Sequence, residues 1–334
     1  MNRYALFCLI LLQFFFACSN PNKEQSQKVS LELTSFVKLL EYDLRNLENE
    51  ITALTDTIKY FYSKKESLVS NADKSLFRFE NGIANPLPNA DLNLSTLYIS
   101  ELAKDKNEAM DLVYVTNPID PLFKALFEKY EVISQVYFNS IPQLSRLYPP
   151  YEALSVLEPD LDITSFNFFY EADAVNNPER GNVWLSEIYI DPAGRGWVAS
   201  LIRPVYIDNE LLMVVGFDIT VNDLIGIYLN NTSRNIVIVD GRGTVVAGKA
   251  KAIEGLSLPP LKNHTYSQTI TSDSFRAEDF NLFRSKSKEV RNLASRIILS
   301  EEKYLSLKDE DESFNVIVER MENIDWYVLD LVFE

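Results

Sequence analysis

Between Leu33 and Phe61 the apolar residues fall at Leu33, Val37, Leu40, Leu44, Leu47, Ile51, Leu54, Ile58 and Phe61, an unbroken alternation of four- and three-residue steps. Steps of that kind place every member on one stripe of an α-helix. Carried on to about Val69, the helix runs roughly 37 residues and roughly 55 Å at 1.5 Å per residue. A helix of that length outreaches a single small domain. Its seam either pairs with a second copy of the chain or lies as a spine along two domains of its own chain, and the two uses are not exclusive.

Ahead of the helix stands a segment to be set aside before any fold reasoning. Arg3 supplies a short basic start, and the apolar run YALFCLILLQFFFA (Tyr4–Ala17) is too short to span a bilayer comfortably. It ends at Ala17-Cys18 and drops at once into the polar stretch SNPNKEQSQKVS. A small residue before a cysteine at the end of such a run resembles a bacterial lipobox. The resemblance implies a signal peptide over residues 1–17, lipidation of Cys18 and a flexible tether over 18–30. It also implies a membrane-anchored, extracytoplasmic chain on the periplasmic side or at the cell surface. Two acyl chains would suffice for stable anchoring, where one would be marginal. The only other cysteine, Cys8, falls inside the leader, so a processed chain is expected to form no disulfide and to do no thiol chemistry.

The 334 residues suggest about two domains. The formal net charge is −16, and loss of Arg3 with the leader makes it −17. Such a chain is repelled by polyanions, which excludes nucleic acid as a partner.

After the long helix the pattern changes. EVISQVYF (Glu131–Phe138), WVASLIRPVYI (Trp197–Ile207) and LLMVVGFDIT (Leu211–Thr220) read as strands by their β-branched and aromatic content. The last two are joined by DNE, a hairpin-length turn. VNNPERGNV (Val175–Val183) is a polar loop punctuated by Pro and Gly. A second, smaller unit begins near Ser233: NIVIVDGRGTVVAG is a hairpin about Asp240-Gly241, and SFNVIVERMENIDWYVLDLVFE is another, turning at Glu322–Asp325. Ser287–Leu307 between them has helix-like composition. The expected organisation is α+β: a long helix over 31–70, a first unit over 71–228 and a smaller one over 229–334, each with antiparallel strands.

WLSEIYIDPAGRGWVAS (Trp184–Ser200) carries the chemistry. Along its strand Tyr189 and Asp191 project together, while Ile188 and Ile190 face the other way. Trp184 falls on the opposite parity to Tyr189. On the strand after the hairpin, Asp218 shares a face with Gly216 and Val214, slim neighbours that leave space beside it. Two carboxylates converging on one cavity raise each other's pKa unless a cation lies between them. A ligand ammonium with three donors fits that role, and aromatic faces add cation–π attraction of ~0.5–2 kcal/mol. Each residue also has a plainer reading: Asp191 opens the turn DPAG, Asp218 caps the next helix, and Tyr189 is core.

QVYFNSIPQLSRLYPP, NPERGNVWLSEIYIDPAGRGWVAS, RPVY and VVGFDITVNDL together resemble the double Cache sensor domain, the extracytoplasmic ligand-binding module of bacterial chemoreceptors and sensor kinases. The likeness spans about Ser30 to Glu334. It implies a long helix followed by two PAS-like subdomains with antiparallel sheets, the membrane-distal one binding ligand and the smaller one membrane-proximal. It also implies that Tyr189, Asp191 and Asp218 hold a ligand ammonium. The family's Arg-x-Trp element, which grips a ligand carboxylate, is replaced here by FNFFYEAD (Phe166–Asp173), in which Phe169 and Tyr170 are candidate ring walls, as is Trp184. Arg146, Arg180, Arg195 and Arg203 are near enough in sequence to serve a carboxylate. An amine, an amino-acid-like molecule or an organic acid all remain open as ligand.

DPAGRG lacks the glycine pattern of a nucleotide loop and joins two strands, and it lacks the acidic ladder of a calcium loop. It is expected to form the pocket rim, with Gly194 and Gly196 supplying unusual backbone angles. His264 is the only histidine and no catalytic elbow or metal-binding helix is present, so no enzyme activity, metal or cofactor is expected. Two readings of function follow. The chain binds a small organic ligand and either passes its state to a transmembrane signalling partner or acts as a capture protein. Alternatively, the pocket is vestigial and the Leu33–Phe61 helix serves as a protein–protein element of an envelope assembly.

Overall fold

The computed structural model describes residues 21–308 and 313–333, with backbone alone for 21–29. Cys18 and the leader lie outside these residues. The first helix, α1, spans Pro21–Tyr62, so 21–30, expected as a tether, are helical. It stops eight residues short of the expected end, at a break over Ser63–Lys64, and Lys65–Ser70 forms a separate short helix. Eight seam residues from Leu33 to Ile58 are buried in the chain's own core. They pack on strands of both sheets, so the spine is the use the fold makes of them. Pairing two copies through α1 would have to use the opposite face, where Leu39, Tyr42 and Tyr60 are exposed.

Two helices that the strand-like reading of this region did not anticipate follow: α2 (Lys106–Thr116) and α3 (Asp120–Lys129). Asp105 caps α2 by accepting from the backbone N–H groups of Asn107 and Glu108. Both helices pack on the same face of the larger sheet as α1.

That sheet has eight strands: β1 (Ile83–Ala84), β2 (Thr96–Ile99), β3 (Gln135–Ser140), β4 (Leu144–Tyr148), β5 (Val183–Trp184), β6 (Tyr189–Asp191), β7 (Gly196–Ile207) and β8 (Glu210–Thr220). The order is β1-β2-β4-β3-β8-β7-β5, with β6 also paired to β7. Asp208 and Asn209 turn the β7–β8 hairpin with φ of 49° and 71°, the geometry a two-residue hairpin turn requires. The strands alternate faithfully. Met213, Val215, Phe217 and Ile219 join the helix-side core, and Val214 joins a second, separate cluster on the opposite face.

The smaller sheet comprises β9 (Ile236–Asp240), β10 (Val245–Gly248), β11 (Tyr304–Lys308), β12 (Ser313–Arg320) and β13 (Trp326–Phe333), in the order β10-β9-β13-β12-β11. Helix α4 (Lys288–Ile298), capped by Ser287, buries Val290, Leu293, Ala294 and Ile297. The helix-like stretch 287–307 therefore splits, and its last residues open the edge strand β11. The expected boundary between residues 228 and 229 falls within the last of the helical turns Val221–Leu229 that leave β8.

Candidate functional site

The second face of the larger sheet, away from α1, is roofed by the segment 151–193 and encloses a cavity. Register explains its floor. Gln135 of β3 stands opposite Asp218 of β8, and Asp218 stands opposite Ser200 of β7, so three polar side chains lie abreast on one face. Gln135 Nε2 donates to Asp218 Oδ2, and Ser200 Oγ donates to Asp218 Oδ1. Ser200 in turn bonds the Tyr189 hydroxyl at 2.6 Å. One step along, Tyr137 stands opposite Gly216, and a Cβ on Gly216 would sit 2.2 Å from the Tyr137 ring. The space expected beside Asp218 is thus filled by Tyr137, and glycine is what admits it. Gly216→Val is expected to push that ring into the cavity and to lower thermal stability, readable as a lower Tm with altered near-ultraviolet dichroism.

Asp191 reaches the same cavity from β6. Its carboxylate also accepts from the backbone N–H of Ala193 at 3.0 Å and of Arg195 at 3.2 Å, so it both opens the turn and lines the pocket. The turn has Gly194 and Gly196 at φ of 86° and 91°, as expected for a glycine-dependent rim. Asp218, by contrast, caps nothing. The cap of the following helix is Thr220, whose hydroxyl accepts from Asp223 N.

Burial decides the electrostatics. Asp191 is 6% exposed and Asp218 1%. Burial, then the charge of Asp191, push the Asp218 carboxyl up to about 7. Asp191 is also raised, chiefly by burial, against the opposing pull of its backbone hydrogen bonds and of Gln135. Burial and the nearby Asp218 carboxyl hold the Tyr137 and Tyr189 hydroxyls well above their ordinary range.

The upper half of the cavity is apolar, with Leu157, Leu161, Ile163, Phe166 and Phe168 among its lining. Phe168 lies 5.9 Å, ring centre to ring centre, from both Tyr137 and Tyr189 and stacks on Phe166 at 5.0 Å. The remaining space is about 40 Å³, which suits a few waters rather than an organic molecule. Ligand entry therefore requires these side chains to move outward.

Three expected ring walls are not in the lining. Tyr170 is 41% exposed, Phe169 is buried in the core beneath the roof, and Trp184 points to the helix side, where its Nε1 donates to Glu48 Oε1 at 2.8 Å. The odd parity of Trp184 to Tyr189 had signalled this. In FNFFY it is Phe166 and Phe168, two apart, that reach the cavity. Gln135, Tyr137 and Asn139, which alternate along β3, line it as well, a pattern readable in QVYFN that the sequence reading did not use.

The candidate arginines mostly point elsewhere. Arg146 is buried on the helix side with Asp120, Arg180 lies over Tyr206 and bonds Asn209, and Arg203 bonds Asn182, itself held by α1. Only Arg195 is beside the pocket, where its guanidinium donates to the Pro149 carbonyl at 3.3 Å. His264 is exposed and bonds Glu254.

No family model matches the chain, and no curated protein matches it. Among solved structures, it is similar to the sensory domain of a Campylobacter jejuni chemoreceptor with isoleucine bound, at 13% identity, 95% coverage of this chain, 97% of that chain and a TM-score of 0.48. It is also similar to the ligand-binding domain of a Campylobacter jejuni chemoreceptor in complex with L-norvaline, at 12% identity, coverages of 92% and 91% and a TM-score of 0.47. The ligand-binding domain of a Pseudomonas fluorescens chemoreceptor in complex with L-serine gives 14% identity, coverages of 68% and 85% and a TM-score of 0.44. These solved structures are all sensory ligand-binding domains, and the likeness concerns the general plan of the fold. Fold and site together define an α+β chain built on one long helix, with a closed acidic cavity in the larger of two antiparallel sheets.

Proposed function

We propose that this chain is an extracytoplasmic sensor or binding protein of the double Cache kind, taking a small organic ligand through an ammonium group in the cavity of its larger, membrane-distal unit. One observation carries the reading: Asp191 of β6 and Asp218 of β8 are both buried and both line one cavity whose lining contains no Lys, Arg or His. Two buried carboxylates, of which only Asp191 has a cation near it in Arg195, are costly to hold, and a bound cation relieves that cost. The cluster joins ligand recognition to the residues whose spacing resembles the family's ammonium site. Nothing about it calls for catalysis.

The leader and Cys18 support a lipid anchor as part of the same reading. An anchored chain of this kind passes its state to a transmembrane partner by contact. A Cys18→Ser chain expressed in a bacterium with lipoprotein processing is expected to leave the detergent phase for the aqueous one. Equal partitioning of both chains would remove the anchor from the account.

The binding claim is tested by thermal shift of the protein against amines, amino acids and small organic acids, with Asp218→Ala alongside. A ligand at one hundred times its Kd stabilises the folded state by about 2.7 kcal/mol. The expected outcome is a hit that Asp218→Ala abolishes. A hit indifferent to Asp218→Ala would place the site elsewhere.

A further inference from the structure

The floor of the cavity holds one more feature. Gln135 is 1% exposed, lines the cavity, and leaves its Oε1 without a hydrogen-bond partner. With Asp218 ionised, as it is once a cation is bound, the carboxylate only accepts, so the Gln135 amide offers Nε2 to it, as observed, and keeps the carbonyl free. A buried, unpaired carbonyl is expensive unless something donates to it. The cavity therefore presents three acceptor groups in one place, the Asp191 carboxylate, the Asp218 carboxylate and the Gln135 carbonyl. A primary ammonium has three N–H donors.

The rest of the lining says what that ammonium is attached to. Above the acidic floor stand Leu157, Leu161, Ile163, Phe166 and Phe168, which suit an alkyl or aryl body. A carboxylate on the ligand would have to settle among these groups. The Tyr98 hydroxyl already donates to the Glu158 carbonyl at 2.8 Å. The one neighbouring guanidinium, Arg195, is directed to the Pro149 carbonyl and sits close enough to Asp191 to offset its charge. An α-carboxylate there finds only uncharged donors, Tyr137, Tyr151, Asn139 and Ser145, and no cation in the lining, and it adds a third negative charge to two already present.

Resting on the ammonium reading given above, we infer that the site selects a primary amine that carries no carboxylate, with Gln135 as a determinant of that selection through its free carbonyl. The class is a monocationic alkylamine or arylalkylamine rather than a zwitterionic amino acid. Quaternary ammonium compounds are disfavoured as well, because they have no N–H to give Gln135.

Matched pairs that differ by the α-carboxylate test this directly: 3-methylbutylamine against leucine, and 2-phenylethylamine against phenylalanine, by titration calorimetry on the whole protein and on Asp218→Asn. The expected result is that at least one amine binds, at least about tenfold tighter than its amino acid, and that the trimethylated form of the same amine loses at least about tenfold. Binding should be lost in Asp218→Asn. An amino acid that binds as tightly as its amine, or more tightly, and is lost in Asp218→Asn overturns the selection while leaving the pocket reading in place. If neither member of either pair binds, or if binding ignores Asp218→Asn, the selection and the ammonium site fall together.

Discussion

Replacing Arg146 with methionine is expected to cost the fold about 3–5 kcal/mol, the largest single-residue effect predicted for this chain. The Arg146 and Asp120 side chains are both wholly buried, with Nη1 to Oδ1 at 2.8 Å. Arg146 Nη2 also donates to the Val113 carbonyl and to Asn117 Oδ1, tying β4 to α2 and to the turn between α2 and α3, and Ser95 Oγ donates to Asp120. Without the guanidinium, the Asp120 carboxyl stays in a dry interior with little beyond one hydroxyl to satisfy it. The pair itself is weak evidence for net stabilisation, because desolvation offsets much of the attraction. The doubly apolar chain Arg146→Met/Asp120→Leu should therefore recover most of the loss. Denaturant unfolding decides the matter, and a single variant within about 1 kcal/mol of the parent would contradict this account of the network.

The second large effect concerns Asp218 and carries a sign. Its folded-state pKa of about 7 lies above the ordinary 3.8, so the folded chain keeps a proton that the unfolded chain has released. Stability of the ligand-free protein should therefore fall as pH rises from about 4 through about 7, and level off above. Fully expressed, the difference is on the order of 4 kcal/mol, shared with Asp191 because the two titrate as a pair. Asp218→Asn should remove most of this slope. It should also be more stable than the parent at pH 8, with Gln135 turning its amide to offer Oε1 to the new Asn side chain. Thermal melts of both chains from pH 4 to 8 show it. Parallel curves would mean that Asp218 is charged throughout, and the cavity would not be the strained acidic site described here.

Much of the frame was legible in the sequence because it rests on periodicity. The seam from Leu33 to Ile58 and the β7–β8 alternation follow from steps of 3.6 and 2, which residue type alone reveals. Parity also groups Tyr189 with Asp191 on one face of their strand, and Asp218 joins them only through the resemblance. Of the three, the two aspartates line the cavity, while Tyr189 stands behind it, bonded to Ser200. What escaped has physical reasons. The α2 and α3 helices are short and take their stability from packing on the sheet, so their sequence signal is weak. Arg146 looked like a candidate for a ligand carboxylate because spacing gives no hint of Asp120, which meets it only in the fold. Phe169 and Tyr170 were singled out in place of Phe166 and Phe168 because the roof is a loop whose single turn at Asn167–Tyr170 sets directions that no repeat encodes. Gln135 and Ser200 flank Asp218 across two ladders, and register of that kind becomes visible only once strands are paired.

The central claim is that a cation settles between Asp191 and Asp218, and a count of protons tests it most directly. Titration calorimetry with 2-phenylethylamine at pH 6, repeated in buffers of different ionisation enthalpy, measures protons exchanged on binding. With the ligand-free Asp218 carboxyl titrating near 7, Asp218 is largely protonated at pH 6, and an arriving ammonium should expel on the order of one proton. Release should diminish toward pH 8 and vanish in Asp218→Asn. Binding with no proton released at pH 6, or no binding at all, would contradict the account.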